Sequence, residues 1–277
     1  MNETEKMLKL GVDYKGIRGA LIGDVSGSTV EFNGYAKPKT KAKAELFPEE
    51  STFTDDTVLT AAVADNLADL SVRPISDSLR AWAKMFPHAG YGSRFTDWIY
   101  DEEMGPYNSF GNGSAMRVSA VGYFAKTEEE VIELSHYVTE CTHNHPEGIK
   151  GAEVVAMIIF KAMHGATKEE LHEYAEQQYD FESLDYEEMK SFMGHGDEIC
   201  QITVPQALWA FFHSDSFEDC LRTCLTIGWD CDTLAAIACS MAEAYYKEIP
   251  VEIVAEAEVR TDHRVLEALE KVPTKLR

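Results

Sequence analysis

Thr57-Val58-Leu59-Thr60-Ala61-Ala62-Val63-Ala64-Asp65-Asn66-Leu67-Ala68-Asp69-Leu70 decides the fold class. Leu59, Val63, Leu67 and Leu70 recur at spacings of four, four and three, which lines one face of an α-helix and does not fit the two-residue period of a strand. Ile149, Ala152, Ala156 and Ile159 repeat that pattern in the segment that runs to His164. Working outward, helical stretches are read near 14–25, 77–86, 128–141, 168–178, 203–213, 216–227, 233–247 and 251–259. Alternating runs are short and scarce. Val118-Ser119-Ala120-Val121-Gly122-Tyr123 is the best strand candidate, and it suits a buried helix equally well. The expected class is all-α. Breakers cluster at 33–53, 87–93 and 104–114 and predict loops, whereas 179–199 reads as an acidic connection. No low-complexity linker divides the chain, so residues 1–277 are expected to form one domain of about a dozen helices.

Composition narrows the function classes. Apolar residues make up 45% of the 277 positions, as in an ordinary globular protein. Twenty-five Lys and Arg stand against 48 Asp and Glu, a net charge of -23 that disfavours general nucleic-acid binding and leaves room only for a local anion pocket. No stretch approaches the roughly 20 apolar residues of a membrane span. The opening Met1-Asn2-Glu3-Thr4-Glu5-Lys6 is acidic and polar, unlike a secretory signal. Six cysteines, at 141, 200, 220, 224, 231 and 239, lie within helical patterns without CxxC spacing. They are expected to be reduced and buried, which points to the cytoplasm. A monomer is the default expectation.

Several short segments carry more chemistry than structure requires. Thr54-Asp55-Asp56-Thr57 and Asp230-Cys231-Asp232-Thr233 each place two carboxylates and a hydroxyl directly before an Ala-rich helix. One Asp is a normal helix cap, but two adjacent ones repel each other unless a cation is near. If the two helix starts adjoin, their oxygens suit Mg²⁺ or Mn²⁺ rather than zinc; if not, they are two unrelated caps. Gly19, Gly23 and Gly27 recur every four residues and permit close helix packing. Glu31 is read at the end of that helix, where the dipole disfavours a carboxylate. In Asn108-Ser109-Phe110-Gly111-Asn112-Gly113, the glycines allow positive φ and a phosphate-type nest, or simply a turn. His143, in Thr142-His143-Asn144-His145-Pro146, is either a structural loop histidine or an anion donor. Lys37, Lys39, Lys41 and Lys43 form a basic island in the 33–53 loop, read as a solvated loop or as a flap that attracts an anion.

Taken in order, GALIGDVSGSTVE, FTDDT, YNSFGNGSAMR, THNHPEGIKGA and GWDCDTLAAIACSMAEAYY, which together run from residue 19 to 246, resemble the ADP-ribosylglycohydrolase family. That family includes dinitrogenase reductase-activating glycohydrolase. The resemblance implies an all-helical fold with a two-magnesium centre, Mn²⁺ being the alternative ion. By the same resemblance Thr54, Asp55 and Asp56 bind one ion, Asp230 and Thr233 bind the other, and Asp232 bridges them. Glu31, Asp55 and Asp56 are the implied catalytic set, with Glu31 as the proton-transfer residue. Ser109, Phe110, Gly111, Asn112 and Gly113, with His143, are implied to hold the phosphates of ADP-ribose. The chain departs from the family at Trp229, where a glycine is usual before the last ligands.

The expected activity is hydrolysis of the glycosidic bond between ADP-ribose and a modified protein or small-molecule acceptor. Two alternatives stay open. One is a non-catalytic, crystallin-like ADP-ribose-binding protein; the other is a metal-dependent phosphohydrolase acting on a similar nucleotide.

Overall fold

A computed structural model describes residues 14–34, 36–70, 73–194 and 196–274. Among these residues there are fifteen α-helices, one short 3₁₀ turn at Lys41–Lys43 and no strand. The helices are α1 (Gly19–Gly27), α2 (Asp55–Ala68), α3 (Ile75–Met85), α4 (Ser93–Tyr100), α5 (Gly113–Met116), α6 (Ser119–Phe124), α7 (Glu128–Thr139), α8 (Pro146–Met163), α9 (Lys168–Glu176), α10 (Tyr186–Ser191), α11 (Cys200–Phe212), α12 (Phe217–Cys224), α13 (Cys231–Tyr246), α14 (Val251–Glu258) and α15 (His263–Leu269). The all-α expectation holds. No helix among the described residues is long and apolar enough to cross a membrane.

The architecture is organised around a seam between α1 and α13. All nine residues of α1 are buried, as is every residue of α13 from Cys231 to Ala244. Glycine makes the approach possible. A Cβ on Gly23 would lie 2.3 Å from the Ala235 carbonyl carbon, and one on Gly27 would lie 2.3 Å from the Asp232 Cα. Helices α8, α11 and α12 pack on α13, and α2 packs on α1 and carries α3 and α15 on its outer side. One cluster of buried apolar side chains runs through these elements from Ile17 to Val272.

Local chemistry sets the helix starts. Thr127, Thr167 and Ser216 accept from the backbone N–H three residues on, Thr167 in a reciprocal capping box with Glu170, and Pro146 opens α8 behind a His145 cap. The stretch 118–123 forms helix α6 from Ser119 on, with Val118 as its N-cap: Ala120 and Val121 are buried, and Gly122 lies against Ile159 and Ala156 of α8. Three readings need correction. Helix α1 ends at Gly27, so Glu31 lies in the turn beyond it, with its N–H on the Gly27 carbonyl, rather than at the helix end. Helices α4, α5, α10 and α15 were not anticipated, because segments of four to eight residues carry too few turns to display a period. The acidic connection 179–199 contains α10 and a residue on which the site depends.

All six cysteines are free. The 33–53 loop is tied down at several points. Lys37 donates to the Lys190 and Phe192 carbonyls, Lys41 pairs with Asp219, and Arg222 donates to the Ala44 carbonyl.

Candidate metal centre

Three chain segments meet where the C-terminal end of α1 faces the starts of α2 and α13. Asp24, on the last turns of α1, is completely buried. Its carboxylate accepts the backbone N–H groups of Thr54 (2.8 Å) and Thr57 (3.0 Å) and the Thr54 hydroxyl (2.8 Å). A side chain from one helix thus caps the orphan donors that begin another, at the positive end of its dipole. Thr54 makes no cap of its own.

From α2 comes Asp56, whose Oδ2 lies 3.2 Å from the Thr54 hydroxyl and accepts from the Thr233 hydroxyl (3.3 Å). From α13 comes Asp232, whose Oδ2 lies 3.5 Å from the Thr54 hydroxyl. Thr54 Oγ1 therefore touches three carboxylates with a single proton to give. Whichever contact is the hydrogen bond, the others set oxygen against oxygen. Among the described residues the buried Asp56 Oδ1 has no hydrogen-bond partner.

Two sets of oxygens close to within 4.8 Å of one another: Asp24, Asp56 and Asp232 in one, Glu31, Asp230 and Asp232 in the other. Asp232 belongs to both. Among the described residues no Lys, Arg or His is ion-paired with any of these five carboxylates. The cost appears as proton affinity. Burial, and then the charge of Asp230, pushes Glu31 up to about 7. Burial raises Asp24 to about 6 despite its donors. Asp56 and Asp232 are held well above the usual carboxylate range by burial and by neighbouring carboxylates. An all-oxygen set, buried, acidic and short of donors, fits hard divalent cations.

The other anticipated residues are placed as follows. Asp55 is half-buried and belongs to neither set; its N–H donates to Ala89 (2.7 Å), and its carboxylate lies beside Gly90. Burial, with repulsion from Asp24, raises its carboxyl too. Thr233 joins α13 to Asp56, and Asp230 accepts from the Asn112 side chain (2.7 Å). Asn112 also donates to Thr203 (3.0 Å), so the 109–113 loop is bonded directly to a carboxylate of the centre. Phe110 is exposed and packs on His145.

The positive-φ expectation for Gly111 and Gly113 is not met: the left-handed residue is Asn108, whose N–H is held by the Asn144 side chain (2.7 Å). The N–H groups of Gly111 and Asn112 are already bonded, to the Ser109 hydroxyl and the Glu198 carbonyl. Glycine is needed there for room instead, because a Cβ on Gly113 would lie 3.2 Å from His143 Nε2.

Sequence reasoning missed Asp24 and Asp197. The signal for Asp24 was a lone acid in an otherwise apolar, glycine-lined helix. Asp197 gave none. Buried in the segment before α11, its carboxylate accepts the N–H groups of Trp229 (2.6 Å) and Asp230 (3.2 Å), fixing the turn at Gly228, whose φ is +70°. The Trp229 indole lies beside Gly34, and the Trp229 carbonyl accepts from the Phe32 N–H (2.9 Å). It thereby joins the turn that carries Glu31 to the start of α13.

The ADP-ribosylglycohydrolase family model matches residues 14–275. The chain is 27% identical over 254 residues to the ADP-ribosyl-[dinitrogen reductase] glycohydrolase of Rhodospirillum rubrum, covering 82% of this chain and 83% of that one. It is 25% identical to the ADP-ribosylhydrolase ARH3 of Danio rerio, covering 83% and 82%. It is 23% identical to the ADP-ribosylarginine hydrolase Tri1 of Pseudomonas putida, covering 82% and 68%. A solved ADP-ribosylglycohydrolase-related protein complex shares the fold, with a TM-score of 0.67 at 22% identity over 92% of this chain and 94% of that one.

Proposed function

The chain belongs to the ADP-ribosylglycohydrolase family, and on that premise we propose that it is a metal-dependent hydrolase that cleaves the glycosidic bond joining ADP-ribose to a protein or small-molecule acceptor. The observation that carries the proposal is the pair of buried carboxylate sets sharing Asp232, with too few hydrogen-bond donors of their own.

Asp24, Asp56 and Asp232 would hold one hard cation and Glu31, Asp230 and Asp232 the other, with Thr54 and Thr233 adding hydroxyl oxygens and Asp55 at the margin. Two Mg²⁺ ions, or Mn²⁺ in their place, would supply charge neutralisation and Lewis acidity there. The remaining work falls to the chain. Breaking the bond at C1 of a ribose needs a base for the incoming water and a proton for the departing acceptor. Glu31 has the fitting place: half-buried, on the turn beyond α1 and beside Asp230 and Asp232, where it meets both the centre and an incoming water. It takes the proton from water and returns it to the leaving group. Asp197 and Asn112 hold Asp230 from its two sides, so the carboxylate stays fixed as charge develops. The 109–113 loop and His143 hold the phosphates locally, which reconciles an anionic substrate with a chain of net charge -23.

The test is a product chromatogram. The protein is incubated with ADP-ribosylated arginine and serine peptides and acetylated ADP-ribose, with and without EDTA. Free ADP-ribose is expected from at least one substrate, abolished by EDTA and restored by Mg²⁺ or Mn²⁺. AMP and ribose phosphate as products, or ADP-ribose release that ignores EDTA, would overturn the proposal.

A further inference from the structure

The guanidinium of Arg117, just after α5, is fully buried, which is a costly place for a cation. Nη2 donates to the Val138 carbonyl (3.1 Å) and to Thr142 Oγ1 (2.8 Å), while among the described residues Nε and Nη1 have no hydrogen-bond partner. Thr142 is equally buried, and its Oγ1 lies 2.8 Å from His143 Nδ1.

Those contacts leave little freedom. A threonine hydroxyl has one proton. With Arg117 donating into one lone pair of Oγ1, that proton can go to His143 Nδ1 at 2.8 Å or to the Thr139 carbonyl at 3.5 Å, the second contact lying at the limit of hydrogen-bond length. Given to Nδ1, the proton makes that nitrogen the acceptor and puts the hydrogen of a neutral ring on Nε2. Burial first, and the Arg117 charge second, hold His143 well below the ordinary histidine range, so the ring is neutral. Nε2 faces the loop: it lies 3.2 Å from where a Cβ on Gly113 would stand and 3.5 Å from the corresponding point at Gly111. Among the described residues it has no hydrogen-bond partner.

We propose that Arg117 and Thr142 form a relay that locks His143 as an Nε2–H donor to an oxyanion seated against Gly111–Gly113. An imidazole free to exchange tautomers would present a lone pair to that oxygen part of the time and repel it. Arg117 and Thr142 touch no ligand; both are positioning residues. The choice of a phosphate oxygen as the acceptor rests on the proposed function, whereas the tautomer does not.

The two parts are read separately. Nitrogen-15 NMR of the imidazoles, with His143 assigned among the nine histidines by its loss in His143→Gln, is expected to show a protonated Nε2 and a bare Nδ1 in the wild type. Thr142→Val removes the hydroxyl at nearly constant shape. It is expected to abolish that pattern and to raise the Kd for ADP-ribose and the KM about tenfold, with kcat within about twofold of wild type. Thr142→Ser is expected to restore both. Arg117→Met frees the Thr142 hydroxyl to turn its proton away from the ring and is expected to populate the Nδ1–H form. A wild-type His143 protonated on Nδ1, or Thr142→Val with unchanged pattern and affinity, would overturn the relay. The wild-type spectrum decides even where a variant does not fold. ADP-ribose that fails to bind a wild type showing the expected tautomer would overturn the ligand reading and leave the relay standing.

Discussion

The α1–α13 seam buries carboxylates at both ends, and the two ends are opposites. At one end Glu243 of α13 accepts the N–H groups of Arg18 (2.8 Å) and Gly19 (2.8 Å) and the Tyr14 hydroxyl (2.7 Å). It sits on the positive end of the α1 dipole, as a structural anion should. Burial still raises its carboxyl, but each of these three hydrogen bonds opposes that rise. At the other end Asp56 and Asp232 face each other and Asp24, with hydroxyl protons too few to go round and Asp56 Oδ1 unpaired. Burial of a carboxylate is common to both ends. What separates structure from function is the supply of donors.

The contrast can be broken or sharpened by substitution. The largest effect is expected for Glu31→Gln, which should lower turnover by about 10²–10⁴-fold while leaving ADP-ribose affinity within a few-fold; steady-state kinetics beside a direct binding titration checks it. Glu243→Ala strips two buried N–H groups and a phenol of their acceptor. Urea unfolding should show a loss of about 3 kcal/mol, with metal content unchanged in the folded fraction.

At the opposite end the sign reverses. Asp56→Asn relieves repulsion, so the cation-free protein should gain roughly 0.5–2 kcal/mol even as the centre stops binding metal.

The smallest effect is one of pH. Asp24 (about 6) and Glu31 (about 7) keep protons in the folded chain that the unfolded chain, at ordinary values of 3.8 and 4.5, has already released. The folded state binds more protons between about 4 and 7, so stability in EDTA is fullest below that window and falls as pH rises through it. Thermal melts should show that fall, and saturating Mg²⁺ should flatten it.

The sequence disclosed the long helices because α2 and α8 each carry at least three turns of unbroken period. It disclosed the glycine seam because residues four apart must share a face. The doubled carboxylates at 55–56 and 230–232 were visible as a surplus over capping, although only the fold brings Asp56 and Asp232 together. Asp24 is harder to read, since a single acid in a helix usually faces water and this one is drawn inward by the N–H groups of α2. Asp197 was illegible: its partners are the backbone of residues 229 and 230, and backbone partners leave no trace in side-chain pattern. The Gly111–Gly113 turn misled because glycine serves both positive φ and close approach, and only the position of His143 tells the two apart.

The central claim is that the donor-poor end of the seam holds two hard divalent cations through one shared carboxylate. Binding stoichiometry measures it most directly, by calorimetric titration of EDTA-stripped protein with Mg²⁺ and by elemental analysis after Mn²⁺ loading, for the wild type and Asp232→Asn. Two ions per wild-type chain are expected, and neither should bind tightly to the variant. A wild type that holds none, or an Asp232→Asn protein that still holds two, would contradict the account.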